Sequence, residues 1–335
     1  MSRPLDIEVA NFVCRFGSTL VMNDLLEEVV LPAFFRQDER SYSGTKYFFT
    51  DQAFEYLTGT DINSLSLRCR FIKSTVIRRH QTYSPSTGVV QDEKSLDTAP
   101  SALAILLLKS HRLIYMREVP GAPSPAQFGA TFSHLLRLSM TSYRNHLYQQ
   151  GVSGTKKVTK ASLAKKFPNP DVDVIPVVSK ESLGDFVKRF ETLNTLKLEL
   201  APTNSELDNS EFFRMLRQSN EKLSSQKTTV QHQSSSGLNK KECVRQVEAA
   251  KQGNLRVAMR GVDTNGDELK GNNENFSVRA TIDEPAEDVR SRAVDAYEKY
   301  EEMVEEEVVT LGATQRDDAA KLKEIHDRHR NRRKS

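Results

Sequence analysis

The sequence predicts an α+β fold: two mixed α/β lobes joined by a basic flexible segment, with a long C-terminal helix. Three observations carry that expectation. Stretches with the period of two of half-buried strands stand beside stretches with helical periodicity, without the regular alternation of a doubly wound sheet. The composition changes abruptly at residues 151–170, where Gly, Ser and Pro surround five lysines. Between residues 285 and 310 apolar side chains recur at spacings of three and four, and no internal repeat is present. The expected partition is a lobe at 1–150, a basic hinge at 151–170, a second lobe at 171–311 with a hairpin at 254–282 and a helix at 285–310, and a basic tail at 312–335.

The elements follow in order. Thr19 to Val30 reads as a helix, with Leu20, Leu25, Leu26 and Val29 near one face and Pro32 as its stop. Tyr47–Thr50 reads as a short strand. Leu65–Tyr83 alternates partly, carries Arg68, Arg70, Lys73, Arg78 and Arg79, and gives one or two strands ending in the turn Tyr83–Gly88. Ala102–Leu108 and Leu113–Met116 read as a buried hairpin. Ser124, Pro125 and Gln127 supply a hydroxyl cap, a first-turn proline and a capping-box glutamine. They open a helix to about Gln150, with Phe128, Phe132, Leu135, Leu136, Tyr143 and Leu147 inward. Beyond the lysine segment, Glu181–Leu193 and Phe212–Leu223 read as helices and Thr195–Leu200 as a strand. Lys227–Gln233 is an edge-like segment, and Asn239 with Glu242 starts another helix.

Asn254–Ile282 is the stretch on which the functional reading rests. Leu255, Val257 and Met259 alternate with Arg256, Ala258 and Arg260. Asn265-Gly266 is a strong hairpin signal, since both residues tolerate positive φ. The expected return strand places Phe276, Val278, Ala280 and Ile282 on the core face. Arg256, Arg260 and Arg279 then share an outer face without carboxylates, and Lys270 lies in the loop. In the helix that follows, Val289, Ala293, Ala296, Tyr300 and Met303 form a seam, for the chain's own sheet or for a second copy.

Composition bounds the function. With 37% hydrophobic and 28% charged residues the chain is an ordinary globular protein, and its net charge is only +3. No apolar run is long enough for a membrane helix, and Asp6 and Glu8 stand where a signal peptide needs an apolar core. A cytoplasmic location without membrane insertion is expected. Cys14, Cys69 and Cys243 are odd in number and widely spaced, which suits a reducing compartment.

Catalytic signals are weak. No phosphate loop, dinucleotide fingerprint, HExxH or GxSxG occurs. Ser43–Lys46 and Ser153–Lys156 match SxxK without the motifs that accompany it in enzymes. Asp263, Asn265 and Asp267 mimic the start of a calcium loop but lack its glycine and closing acid. His326 and His329 lie in the basic tail and read as titrating charge. Glu191, Glu199, Glu206 and Asp208 with Lys197 sketch the alternative, a metal-dependent nuclease of an anti-phage defence system. The expected protein is not an enzyme and needs no cofactor or metal. It grips double-stranded DNA through phosphates, using Arg256, Arg260, Lys270 and Arg279 as a fixed surface and Lys156, Lys157, Lys160, Lys165 and Lys166 as a mobile strap. The absence of tryptophan leaves no strong stacking platform and favours duplex over single strands.

Two stretches together resemble a known family. Pro100–Phe132 has a Pro-Ser opening, two apolar strands and a helix entry after Gly-Ala-Pro-Ser-Pro. Leu255–Ile282 has a strand ending in Met259-Arg260-Gly261, then Asp263 and Gly266-Asp267, a second strand and a closing helix. This order resembles the RexA-like phage exclusion proteins of temperate phages. The resemblance implies a homodimer with a globular and a mobile domain, similar in part to the RdgC recombination regulators. It also implies duplex binding without strong sequence preference, in superinfection exclusion or abortive infection, with any phage or host protein partner unspecified. Arg260 matches a basic position of the family's first hairpin strand, whereas Val262 stands where a second basic residue is expected.

Overall fold

The computed structural model describes residues 3–152, 158–204, 210–223, 225, 227–248, 254–312 and 316–332. In chain order, β1 (Leu5–Phe16) and β2 (Leu20–Val21) precede a run of short helical turns that ends in α1 (Leu31–Phe34). Next come β3 (Arg40–Tyr42), β4 (Thr45–Tyr56), β5 (Leu65–Ser84), β6 (Gly88–Thr98), β7 (Ser101–Leu107) and β8 (Arg112–Arg117). Then follow α2 (Pro125–Val152), α3 (Lys160–Lys166), β9 (Pro170–Pro176), α4 (Lys180–Lys188), β10 (Phe190–Leu200) and α5 (Glu211–Lys222). The chain continues through β11 (Thr229–Gln233), α6 (Lys240–Glu248), β12 (Leu255–Asp263), β13 (Glu268–Asn272), β14 (Arg279–Ile282), α7 (Val289–Glu305) and α8 (Ala319–Arg332). Helices and strands are mixed, as the sequence predicts.

Among the described residues the strands form two sheets. The larger runs β14-β1-β8-β7-β5-β4-β3, with β2 and β9 also on β1 and β6 on β5. The smaller runs β11-β10-β12-β13. β1 is an inner strand of the larger sheet, next to the edge strand β14, and is covered on both faces. Ala10, Phe12, Cys14 and Phe16 face α2, whose Phe128, Phe132, Leu135 and Leu136 are buried against them. Ile7 and Val9 face α7 on the other side. Leu5, Ile7 and Val9 alternate with Asp6 and Glu8, but from Val9 to Cys14, apart from Asn11, both faces are apolar and the alternation is lost.

The start of α2 follows its sequence signal. The Ser124 amide donates to Gln127 Oε1 (2.8 Å) and the Gln127 amide donates to Ser124 Oγ (3.3 Å). The seam of α7 is spent inside the molecule: Ala293, Ala296, Tyr297, Tyr300 and Met303 are buried against the larger sheet. Glu118 ties this helix down, accepting from Arg292 (2.5 Å) on α7, Arg70 (2.9 Å) on β5 and Ser101 (2.6 Å).

Three expectations need correction. The Asn265-Gly266 turn forms, but its return strand is β13, so Lys270 lies on a strand opposite Arg260 instead of in a loop. Arg279, Ala280 and Ile282 instead sit on β14, which pairs with β1 in the other sheet. A helical turn at Asn273–Phe276 breaks the expected strand and carries the chain across. The smaller sheet is consequently an insertion between β9 and β14, and the division between sheets falls near Val178 and Ser277, which form an isolated bridge. Finally, the tail is a docked helix. Leu322 and Ile325 of α8 are buried in the core beneath α2 and β4, Arg316 pairs with Asp24 (2.6 Å), and Arg328 pairs with Glu27 (2.7 Å).

Docking of α8 has a direct test. Leu322→Ala removes a fully buried side chain and should lower the stability of the chain by about 2–5 kcal/mol. A urea midpoint unchanged from the wild type would mean that the helix contributes nothing to the core.

Candidate nucleic-acid interface

The open face of the smaller sheet holds most of the expected hairpin cations. Thr195, Arg260 and Lys270 lie side by side across β10, β12 and β13, and Arg256 lies opposite Glu199. The core of this sheet is on its other side, where Leu196, Leu198, Val257 and Met259 pack under α4 and α6. Gly271 permits that packing, because a Cβ there would meet the Phe186 ring at 2.1 Å.

The cations of this face are not free. Arg256 donates to Glu199 (3.0 Å) and to Asp173 on β9. Lys227 closes on the other oxygen of Glu199 (2.7 Å). Glu268 accepts from Arg260 and from Lys270 (2.6 Å). Hydrogen bonding from Lys227, joined by Arg256, holds the Glu199 carboxyl below its usual range, and Lys270 does the same for Glu268. Burial pushes the Asp173 carboxyl upward, with Arg256 opposing it. The expected carboxylate-free face is therefore interleaved with acids contributed by β10, β13 and β9. Arg279 is absent from it altogether. It stands on β14 opposite Glu8 and donates to Ser277 Oγ (3.2 Å) and the Glu274 carbonyl (3.3 Å).

A second basic surface is different in kind. From Val119 to Pro170 the chain contains no Asp or Glu, and it contains Arg137, Arg144 and five lysines. Most of this segment is α2 and α3, packed side by side. Leu163 of α3 is buried, Tyr143 meets Phe167 edge to face (5.3 Å), and Arg144 Nε donates to the Phe167 carbonyl (2.7 Å). Thr159 caps α3 by accepting from the Ser162 amide (3.1 Å). Gly129 lets α2 approach β9, since a Cβ there would meet Val174 at 2.7 Å. On this frame Lys160 lies over the Tyr148 ring (5.4 Å) and Lys166 over the Phe167 ring (5.2 Å). Arg137, Lys160, Lys165 and Lys166 are exposed, and none is in an ion pair among the described residues. Lys156 and Lys157 lie outside the described residues. The Lys160–Lys166 part of the expected strap is thus a helix resting on α2, not a loose segment.

The contribution of Arg137 is missed by a reading confined to lysine clusters. Its signal is the absence of acids, which extends through the whole of α2 and is visible only when the window is widened beyond residues 151–170.

The catalytic groupings sketched from the sequence are not brought together among the described residues. Among the described residues no three His, Cys, Asp or Glu side chains are grouped to hold a metal ion. Glu199 is engaged by Arg256 and Lys227, while Glu206 and Asp208 lie outside the described residues. Lys46 pairs with Glu39 (2.9 Å), and Ser153–Lys156 is outside the described residues. Asp263 Oδ1 accepts from the backbone amides of Asn265 (2.8 Å) and Asp267 (3.0 Å), which makes it a turn former. His326, expected as a titrating surface charge, is packed against Tyr56 and Phe54, and burial lowers its pKa.

No protein-family model matches the sequence, and no curated protein matches it.

The ion pairs assign Arg256 a structural part. Arg256→Ala should leave Asp173 half-buried without its main counter-charge and lower stability at pH 7 by about 1 kcal/mol, a modest figure because the pair is partly solvated. Without Arg256 the Asp173 pKa rises further above its unfolded value, so the folded form binds the extra proton. The deficit therefore shrinks as pH falls towards 5. Equal urea midpoints for variant and wild type at both pH values would refute this assignment.

Proposed function

We propose that this chain binds double-stranded DNA without sequence preference, and that its main phosphate-binding surface is the paired helices α2 and α3. The carrying observation is the acid-free stretch from Val119 to Pro170, whose described residues form the helices α2 and α3, with Arg137, Lys160, Lys165 and Lys166 exposed and, among the described residues, without ion pairs. α2 is about 42 Å long at the rise of an α-helix. Over that length a duplex presents phosphates at roughly one per 1.7 Å of axis. Cations on such a frame displace condensed counterions, and the gain depends on charge and not on base sequence.

Arg256, Arg260 and Lys270 are a secondary set in this reading. Each would have to leave a carboxylate before reaching a phosphate, so much of the gain is cancelled. Arg279 is not part of the surface. The resemblance to the RexA-like exclusion proteins extends the proposal to a role in excluding a second phage from an infected cell.

A salt titration of binding to a short duplex tests the proposal. Arg137, Lys156, Lys157, Lys160, Lys165 and Lys166 together predict a log–log slope of about −5. Lys165→Ala with Lys166→Ala should weaken binding on unrelated sequences alike and flatten the slope by about 2. Arg256→Ala should leave it nearly unchanged. Salt-independent binding, a loss confined to one sequence, or a larger effect at Arg256 than at the lysine pair would overturn the reading. Plasmid cleavage with Mg²⁺ that one carboxylate substitution abolishes would replace it with the nuclease.

A further inference from the structure

β5 and β6 extend beyond the larger sheet as a free ribbon. Up to Ile72, β5 is flanked by β4 and β7, but from Thr75 to Ser84 it pairs with β6 alone. The ribbon is about 30 Å long at the rise of a strand. No side chain from residue 76 to residue 97 is buried. Yet Val76, Ile77, Tyr83, Val89, Val90 and Leu96 lie here, six of the thirteen large apolar side chains exposed among the described residues. A two-stranded ribbon with no covering layer is marginal in water, and apolar side chains concentrated on it mark a surface that is meant to be covered.

The pattern on one face says by what. The register pairs Ile77 with Leu96, Arg79 with Lys94, Gln81 with Gln91 and Tyr83 with Val89, and alternation puts all four pairs on the same side. From base to tip this face reads apolar, cationic, amide, apolar. The apolar pairs are equidistant from its middle. At the middle, in the register shift between Arg79 and Gln81, Asp92 pairs with Arg79 and stands 4.0 Å from Lys94. Turned antiparallel onto a second copy about a two-fold axis, such a face sets apolar pair against apolar pair and cationic pair against amide pair.

We propose that this ribbon is a dimerisation arm that packs face to face, antiparallel, on the same arm of a second copy of the chain. Ile77 and Leu96 of one arm then cover Tyr83 and Val89 of the other. Arg79 and Lys94 meet the amides of Gln81 and Gln91, with the two Asp92 carboxylates near the axis among four cations. No band of like charge faces its own kind. The contact covers on the order of 400 Å² per arm, or roughly 800 Å² in total, below the size of stable specific interfaces and in the range of weak, transient ones. The dimer is accordingly weak and concentration-dependent, with dissociation constants of roughly 1–100 μM. The proposal does not rest on DNA binding.

Sedimentation velocity of the full chain without DNA, from about 1 to about 200 μM, tests it. Wild-type protein should pass from monomer to dimer across that range. Ile77→Ser with Leu96→Ser should raise the dissociation constant at least tenfold or so, with unchanged far-ultraviolet circular dichroism, since both side chains are exposed. Placement of the axis is checked by disulfide trapping, because Cys14, Cys69 and Cys243 are buried and will not compete. Mixing Ile77→Cys with Tyr83→Cys protein should give mixed dimers in preference to either like pair. A wild-type monomer at about 200 μM overturns the proposal. So does a dimer indifferent to the two serines, or trapping that favours like pairs. Loss of duplex affinity in the double-serine variant with no change in oligomeric state would assign the arm to DNA instead, and would also overturn it.

Discussion

The fold depends on the burial of β1. Its two faces serve two cores, Phe12 and Phe16 towards α2 and Ile7 and Val9 towards α7. One of its edges is shared by two strands distant in sequence: β14 pairs with Leu5–Glu8 and β9 with Ala10–Phe16. Where they meet, the backbone passes its hydrogen bonds around a triangle. The Val177 amide donates to Val9 (2.9 Å), Val278 to Val177 (2.8 Å), and Val9 to Val278 (3.3 Å). Every backbone group at the junction finds a partner only if the inserted sheet leaves and returns at that point.

Asparagines secure the insertion. Asn204 accepts from the Cys14 amide (2.9 Å) and donates to the Phe12 carbonyl (3.0 Å), pinning the end of β10 to β1. Asn273 accepts from the Val257 amide (2.7 Å) and donates to the Leu255 (3.0 Å) and Pro176 (3.3 Å) carbonyls. A primary amide can serve a donor and an acceptor at once, which is what a junction between non-parallel strands requires. Val13, Ile175 and Ala201 form the small apolar cluster beneath these bonds. The two sheets are therefore held by buried polar contacts at several points on β1 and β9.

Local signals are legible in the sequence and long-range ones are not. The Ser124–Gln127 capping box, the Asn265-Gly266 turn, the two apolar strands that begin at Ala102 and Leu113, and the seam of the last long helix all depend on residues a few positions apart. Each is where the sequence places it. β1 escapes because its alternation, clear from Leu5 to Val9, is lost from Ala10 to Cys14, where both faces are largely apolar. The strand expected across Phe276–Ile282 is shortened to Arg279–Ile282 and leaves the hairpin for β1, because Asn272 caps a helical turn before it, accepting from the Glu274 amide (2.9 Å), and Asn273 is needed by the junction. The candidate site follows the same rule. Lys160, Lys165 and Lys166 stand out from composition alone, and Glu268, the partner of Arg260 and Lys270, lies on the return strand of the same hairpin, whereas the pairing of Arg256 with acids is hidden. Glu199 and Asp173 reach Arg256 from positions 57 and 83 residues away.

Ion pairing thus separates two populations of cations that composition treats alike. Those on the inserted sheet neutralise carboxylates from neighbouring strands and help to define its register and its seat on β9. Those on α2 and α3 face water with no carboxylate on either helix. A binding surface gains from this arrangement twice. No pair must be broken before a phosphate is met, and the helices that carry the charges are already fixed: α2 by its aromatic core and its close approach to β9 at Gly129, α3 by Leu163 and the Arg144–Phe167 bond. Only the lysine side chains lose freedom on contact, while the backbone has been ordered by folding. A loose strap of the same charge would have to be ordered at the moment of binding. The helical setting of Lys160–Lys166 therefore favours the stronger polyanion surface for the same number of cations.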